Sequence, residues 1–421
     1  MARWNTIARG SALAAVAALA LAACSTTEDP GSSGSPAPGG DGPALKIGTL
    51  LPQTGSLAFL GPPEIAGVDL AIKDINDAGG VNGKPVEVVH TDSSDADNPT
   101  VASTSVDKLI SDGVGGIVGA ASSTVSLNVV DTIAAASIVQ ISPANTSTKL
   151  SGYSPFYFRV APPDTIQGDV MGKLLLADGK KNIAILVFND DYGTSLRDVI
   201  EATTEAGGAT ITYGKSGQEF DPKETDFDSI VSNALATNPD AVVIVAFDQT
   251  KGIVPKLVEA NYPAANIYMV DGNTADYSKD FDPGVLEGAQ GTIPGAFPAQ
   301  DFQDRLNSVA PEPLTSFAYG PESYDSTILL ALAAQKAGKT DGASIQENMA
   351  AVSGATGGEE CASFADCLAL LQDGKEIAYK TVAGSGPFND QNDPSSAFIG
   401  IYTFDGNNVP VWKSAQEGEV K

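Results

Sequence analysis

Short runs rich in valine and isoleucine alternate with longer amphipathic stretches from residue 45 to residue 293, and this alternation confines the chain to an α/β fold with parallel strands. Parallel neighbours need a crossover of a dozen or more residues, which the amphipathic stretches supply as helices. The runs predict strands at 45–51, 86–91, 114–119, 138–141, 183–188, 210–213, 241–247, 267–270 and 288–293. The clearest helix opens at Pro62-Pro63, which a first turn tolerates, and closes at Gly79-Gly80, with Ile65, Val68, Ile72 and Ile75 as one buried stripe. Further helices are predicted at 100–111, 226–238, 251–261 and 323–336. No block recurs at a fixed spacing, which argues against a solenoid.

The run Arg159-Val160-Ala161-Pro162-Pro163-Asp164 breaks the alternation and divides the strands into two groups. Each group forms an open parallel sheet, and such sheets bind ligands beyond the carboxyl ends of their strands. Two facing sheets place that site in the cleft between them.

The first residues have the three parts of a secretory signal: Arg3 and Arg9 with no acid, an apolar run at 11–20, and small residues leading to Cys24. Only about thirteen apolar or small residues precede Cys24 after Gly10, whereas a spanning helix needs roughly 20. Leu21-Ala22-Ala23-Cys24 resembles the bacterial lipoprotein box, in which the cysteine receives a diacylglycerol and becomes the new N-terminus. Residues 1–23 are then a signal peptide, and residues 24–44 a lipidated tether in which Gly, Pro and Ser fill 13 of the 20 positions from 25 to 44. A random coil of that length holds the folded part about 25 Å from the bilayer. The location expected is extracytoplasmic, at the cell surface or in a periplasm.

The remaining 377 residues suffice for two domains with substantial cores. Without residues 1–23 the chain has 22 basic and 52 acidic residues, a net charge of −30 that repels phosphate backbones and argues against nucleic-acid binding. With Cys24 lipidated, Cys361 and Cys367 are left for each other. An exported location permits their disulfide, and two thiols without a nearby histidine make a poor zinc site.

Signals for an enzyme fail one by one. The single histidine, His90, ends a predicted strand, and no Gly-x-Ser-x-Gly turn accompanies it. Gly214-Lys215-Ser216 lacks the earlier glycine of a phosphate-binding loop, Ala209 standing in its place. The glycines of 113–119 fall before and inside a strand rather than at a strand-to-helix junction. Asp92, Asp95 and Asp97 lack the glycine and glutamate of a helix-loop-helix calcium site and read as a solvated loop. No catalytic residue, cofactor or metal is expected.

Two strand ends lead into helices through small hydroxyl residues: Gly119-Ala120-Ala121-Ser122-Ser123-Thr124 and Ser142-Pro143-Ala144-Asn145-Thr146. Free N–H groups, the positive end of a helix dipole and a hydroxyl together favour a carboxylate. Simple helix capping explains either junction alone. Both in one half, at adjacent strands, favour a ligand.

Leu50-Leu51-Pro52-Gln53-Thr54-Gly55, the helix end Ile72-Lys73-Asp74-Ile75-Asn76-Asp77-Ala78-Gly79-Gly80, Ile141-Ser142-Pro143, Phe158-Arg159 and Asn189-Asp190-Asp191-Tyr192-Gly193 resemble the Leu/Ile/Val-binding type of ABC-transporter solute-binding protein. The resemblance runs from about residue 45 to residue 412. It implies a type I periplasmic-binding-protein fold, two Rossmann-like lobes with parallel sheets joined by three crossovers. Lobe 1 would comprise 45–162 and 295–386, lobe 2 163–294 and 387–421, with hinges near 160–165, 292–298 and 384–389.

The resemblance also implies an amino acid in the cleft. Ser123 and Thr146 would hold its α-carboxylate with help from backbone groups at Ala144. Tyr192 would close from the second lobe, Asp271 would pair with the α-ammonium, and Phe247 would form an aromatic wall. Chemistry agrees, because a zwitterion needs donors at one end, a carboxylate at the other and apolar surface between. Ala121, Phe59 or Leu60, and Phe247 could supply that surface. The chain departs from the branched-chain binders in having Asp271 for a glutamate and, relative to some members, Ser122 for a disulfide-forming cysteine. The segment from Cys361 through Tyr379 to Gly384-Ser385-Gly386-Pro387-Phe388 resembles a branch with its own C-terminal disulfide. The function expected is that of a lipid-anchored monomer delivering a small zwitterion, an aliphatic or branched-chain amino acid, to an ABC permease. A sensor feeding a signalling partner, or a receptor for a short amide or urea, are the alternatives.

Overall fold

The structure, a computed structural model, describes residues 43–419. The signal segment, Cys24 and most of the tether lie outside them. Among the described residues no helix is long and apolar enough to cross a membrane.

The chain begins with β1 (Lys46–Leu51), α1 (Gly61–Asp77), β2 (Glu87–Asp92), α2 (Pro99–Asp112), β3 (Gly116–Gly119), α3 (Ser123–Ala135), β4 (Val139–Ser142) and β5 (Tyr157–Arg159). The five strands make one parallel sheet in the order β2-β1-β3-β4-β5. The chain then crosses to α4 (Asp164–Ala177), β6 (Asn182–Val187), α5 (Asp191–Ala206), β7 (Thr210–Tyr213), α6 (Asp228–Leu235), β8 (Ala241–Val245), α7 (Thr250–Glu259), β9 (Ile267–Met269) and β10 (Gln290–Pro294). It returns through α8 (Gln300–Val309), α9 (Gly320–Ala337), α10 (Gly342–Val352), β11 (Glu359–Cys361), α11 (Phe364–Gln372) and β12 (Ile377–Tyr379), and ends in β13 (Ser396–Phe404) and β14 (Pro410–Glu419). The second sheet has the order β14-β13-β10-β9-β8-β6-β7.

This second sheet is not parallel throughout. β13 runs antiparallel to both β10 and β14, so a C-terminal hairpin completes the edge that the predicted strands leave open. Its turn is built by Asp405, whose carboxylate accepts from the N–H groups of Asn407 and Val409. β14 carries Lys413-Ser414-Ala415-Gln416-Glu417 on an exposed edge, where charge discourages further strand pairing. By contrast β8 is Ala-Val-Val-Ile-Val, buried at every position, as a central strand covered on both faces requires.

Helices cover both faces of each sheet. In the first lobe α1, α9 and α10 share one apolar core, and α2 and α3 pack on the opposite face. α9 is buried almost all round, and it approaches α1 so closely that a Cβ on Gly67 would sit 2.2 Å from the Gly320 carbonyl oxygen. That approach widens the buried face of α1 beyond the predicted stripe: Val68 and Ile75 are buried together with Ala66, Leu70 and Ala71, while Ile65 and Ile72 flank the core.

A fully buried ion pair ties the last crossover to the first lobe. Arg159 Nε donates to Asp393 at 2.5 Å, and its other nitrogens donate to the Ser147 carbonyl (2.9 Å) and Ser151 Oγ (2.7 Å). Within the first crossover, at the start of α4, Asp164 caps nothing through its side chain and is fully buried, with neither carboxyl oxygen in a hydrogen bond. Burial, reinforced by the charge of Asp271, raises its pKa from 3.8 to about 7. Cys361 and Cys367 are joined as a disulfide that staples the end of β11 to α11, their Cα atoms 5.3 Å apart.

Replacing Arg159 with Ala should cost about 3 to 5 kcal/mol in denaturant unfolding, since it strands the Asp393 carboxylate in the interior. For Asp164 the folded form keeps a proton that the unfolded form has lost, so this penalty is absent below about pH 4 and grows towards pH 7. Relative to Asp164→Asn, the parent protein should therefore lose on the order of 1.4 kcal/mol of stability per pH unit across that window. A Cys361→Ser, Cys367→Ser protein should be less stable by about 2 kcal/mol, the entropy of so short a closed loop. Alkylation of the unreduced parent protein should leave both sulfurs unlabelled by mass.

Candidate ligand-binding site

In both sheets the chain order reverses beside the first strand, between β1 and β3 and between β6 and β8, and a crevice opens at such a switch point. The segments leaving the carboxyl ends of β1, β3, β4, β6, β8 and β9 converge on one small pocket.

The first lobe contributes donors. Ser122 caps α3, its Oγ accepting from Val125 N–H at 3.3 Å, which leaves the first-turn N–H groups of α3 without helical partners. Ser123 Oγ accepts from the N–H groups of Thr146 (3.3 Å) and Ser147 (3.2 Å), joining the loop after β3 to the loop after β4. Thr146 Oγ1 is buried and makes no hydrogen bond. Ala144 lines the pocket, and its N–H is directed at Ser142 Oγ, 3.3 Å away. Behind this surface Ser142 Oγ donates to the Ala120 carbonyl (2.6 Å), and Asn145 Nδ2 donates to the same carbonyl (3.1 Å) and to Ser126 Oγ (2.6 Å). Tyr157 completes the network through a short bond to Asn145 Oδ1.

The second lobe contributes an acid. Asp271 follows β9 and is 7 % exposed. Its Oδ1 accepts from Tyr192 (2.6 Å) and Gln167 (2.8 Å), and its Oδ2 accepts from Tyr319 (2.6 Å). Burial raises its pKa, and these three donors oppose the rise. Tyr192 stacks on Phe247 with centroids 5.4 Å apart at 13°, and Phe188 meets Phe247 edge-on at 4.8 Å. The N-cap of α5, Asp190, holds Tyr192 N–H at 2.9 Å and also accepts from Thr124 of the first lobe at 2.8 Å. Thr148 N–H to Ser195 Oγ (2.9 Å) and the Lys149–Asp191 ion pair are further bonds between the lobes.

All eight residues expected at the site line this one pocket: Leu60, Ala121, Ser123, Ala144, Thr146, Tyr192, Phe247 and Asp271. Phe59 instead packs against the core of the second lobe. Ser122 and Asn145, from the two hydroxyl-rich junctions, also line it, and three residues were not anticipated: Leu57, Gly272 and Tyr319. Tyr319 is the most consequential, since it belongs to the first lobe yet binds Asp271 of the second. Its φ of +59° is an uncommon conformation for a bulky residue, retained where surrounding structure enforces it. The nearest signal in the sequence is the Tyr319-Gly320-Pro321 start of a helix, which marks a turn but not its direction.

The features read as structural have identifiable tasks. His90 lies between Thr49 Oγ1 and Asp69 Oδ1, each 3.0 Å from a ring nitrogen, and is absent from the pocket lining. A Cβ on Gly115 would lie 2.3 Å from the Thr340 carbonyl and one on Gly116 2.7 Å from Leu330, so these glycines serve close packing. Asp92 accepts from Gln53, Thr54 and Ser94 N–H groups and Asp95 from Ser56, which fixes the loop that presents Leu57 and Leu60.

Comparison with known proteins places this architecture. The periplasmic binding protein family matches residues 44–365. The chain is 24% identical over 371 residues to the Leu/Ile/Val-binding protein BraC3 of Rhizobium johnstonii, covering 87% of this chain and 93% of that one. In fold it resembles the branched-chain amino acid transporter substrate binding protein LivJ of Streptococcus pneumoniae, solved with isoleucine (TM-score 0.72, 20% identity, 90% of this chain and 100% of that one). It resembles equally a solute binding protein of R. palustris solved with 4-hydroxybenzoate (TM-score 0.73, 15% identity, 90% and 97%). The chain therefore belongs to the type I periplasmic binding protein family and is an extracytoplasmic solute-binding protein, not an enzyme.

Proposed function

We propose that the protein captures a free aliphatic amino acid between its lobes and delivers it to an ABC-type permease. One observation carries this reading. A buried carboxylate, Asp271, stands on one lobe, and the helix α3 N-terminus with the Ser123 and Thr146 hydroxyls stands on the other, across a small pocket walled by Leu57, Leu60, Ala121 and Phe247. Opposite poles separated by apolar walls match a zwitterion with an aliphatic side chain. The Leu/Ile/Val-binding relatives support the same reading.

The α-carboxylate would sit on α3 and the two hydroxyls, and the α-ammonium on Asp271. Because Tyr192 and Phe247 belong to one lobe and Ser123 and Thr146 to the other, a ligand touching all four favours the closed arrangement over the open one. Lobe 1 as 45–162 with 295–386, and lobe 2 as 163–294 with 387–421, would move about the three crossovers. The Leu-Ala-Ala-Cys box supports a lipid anchor at Cys24, which would hold the monomer beside its permease.

The Tyr192–Phe247 stack favours one rival, an aromatic carboxylate whose ring lies along it and whose para hydroxyl donates to Asp271. The two readings separate in a thermal-shift and calorimetric panel of isoleucine, leucine, valine, acetamide, urea and 4-hydroxybenzoate, since a ligand selective for the native state raises its melting point. A branched-chain amino acid should bind best, and Asp271→Asn should weaken it by about 2 to 5 kcal/mol through loss of a buried charged hydrogen bond. Unchanged affinity in that variant, or tighter binding of 4-hydroxybenzoate in the parent protein, would reject the assignment.

A further inference from the structure

Beyond Tyr319 lies a larger cleft that the amino acid pocket does not use. The crossover from β10 to α8 supplies Phe297, the start of α9 supplies Tyr319 and Glu322, and the C-terminal hairpin supplies Tyr402. Tyr319 is the wall common to both spaces, so the cleft is separated from Asp271 by one phenol ring.

Its chemistry is one-sided. The lining includes two acids, Glu322 and Asp276, and no base. Glu322 is 2 % exposed, and Gly295 passes so close that a Cβ there would lie 2.0 Å from its Oε1. Near it on α1 stands Glu64, fully buried, with neither carboxyl oxygen in a hydrogen bond. At the mouth Phe297 is 42 % exposed, its ring 6.4 Å from Tyr402 and 5.8 Å from Trp412. Aromatic faces around a buried carboxyl are the surroundings that attract an organic cation, through the ring quadrupoles and the acid together.

We propose that this cleft is a second ligand site, selective for a small organic ammonium ion held between Phe297, Tyr402 and Glu322. Burial pushes the Glu322 carboxyl well above its ordinary range, and burial together with Glu322 does the same to Glu64, a state that a bound cation relieves. The site draws walls from both lobes and from a crossover, so its occupant is coupled to closure and hence to the amino acid pocket.

Calorimetric titration of the full chain with choline chloride tests the site, with 3,3-dimethylbutan-1-ol as a neutral probe of the same shape. Choline should bind saturably, and the alcohol at least tenfold more weakly. Phe297→Ala, which changes an exposed ring, and Glu322→Gln should each weaken choline tenfold or more. The Phe297 variant decides the matter if Glu322→Gln does not fold. Absence of saturable choline binding, or equal binding of the alcohol, would overturn the proposal. So would choline binding retained at full strength in Phe297→Ala, since the cation would then not sit against that ring.

Discussion

The Arg159–Asp393 pair is the constraint on which the two-lobed arrangement rests. Arg159 ends the last strand of the first sheet, and Asp393 lies on the segment that leads out of the first lobe to the C-terminal hairpin. Their bond holds the third crossover against the end of β5, a few residues from where the first crossover departs. The same guanidinium holds the Ser147 carbonyl, next to the Thr146 that faces the pocket. One side chain thus sets both where the lobes are joined and where half of the site stands. Two charges without solvent contribute less to net stability than their attraction suggests, because desolvation offsets most of it. What such a pair secures here is position, since in this arrangement each of the three nitrogens of Arg159 has a partner.

The site is an outcome of topology more than of any single motif. Parallel strands deliver their carboxyl ends to one edge, and two sheets facing one another bring six such ends together. Each lobe then presents a different polarity. The first uses free N–H groups and hydroxyls, which need no compensating charge. The second uses one acid buried deeply enough that it requires donors of its own. Neither half alone complements a zwitterion, which makes the pocket a property of the closed molecule.

Much of this was legible in the sequence where a residue's role follows from its neighbours. Val242 to Val245 announce a buried strand because every side chain in the run is apolar, and Pro62-Pro63 announces a helix start because of what proline cannot do inside one. The hydroxyl residues after β3 and β4 stood out because strand ends are where such folds bind, whereas the acid after β9 was indicated only by the family resemblance. β5 escaped because three residues carry no period, and β13 because Gly400 and a mixed face disguise its alternation. Tyr319 could not be placed at all. It reaches Asp271 from a segment that returns to the first lobe after the whole second sheet has formed, and nothing local to residues 317–321 records that path.

The three donors around Asp271 make recognition an exchange rather than an addition. Two phenols and an amide already meet its lone pairs, so an ammonium group bound there would have to displace or share them, and its affinity would measure the difference between a cation and the hydroxyls it supplants. A neutral solute of the same shape brings nothing that the phenols do not offer. For the amino acid proposed above, the tyrosines would act as a threshold, and the pocket would discriminate by charge before the length of an aliphatic chain.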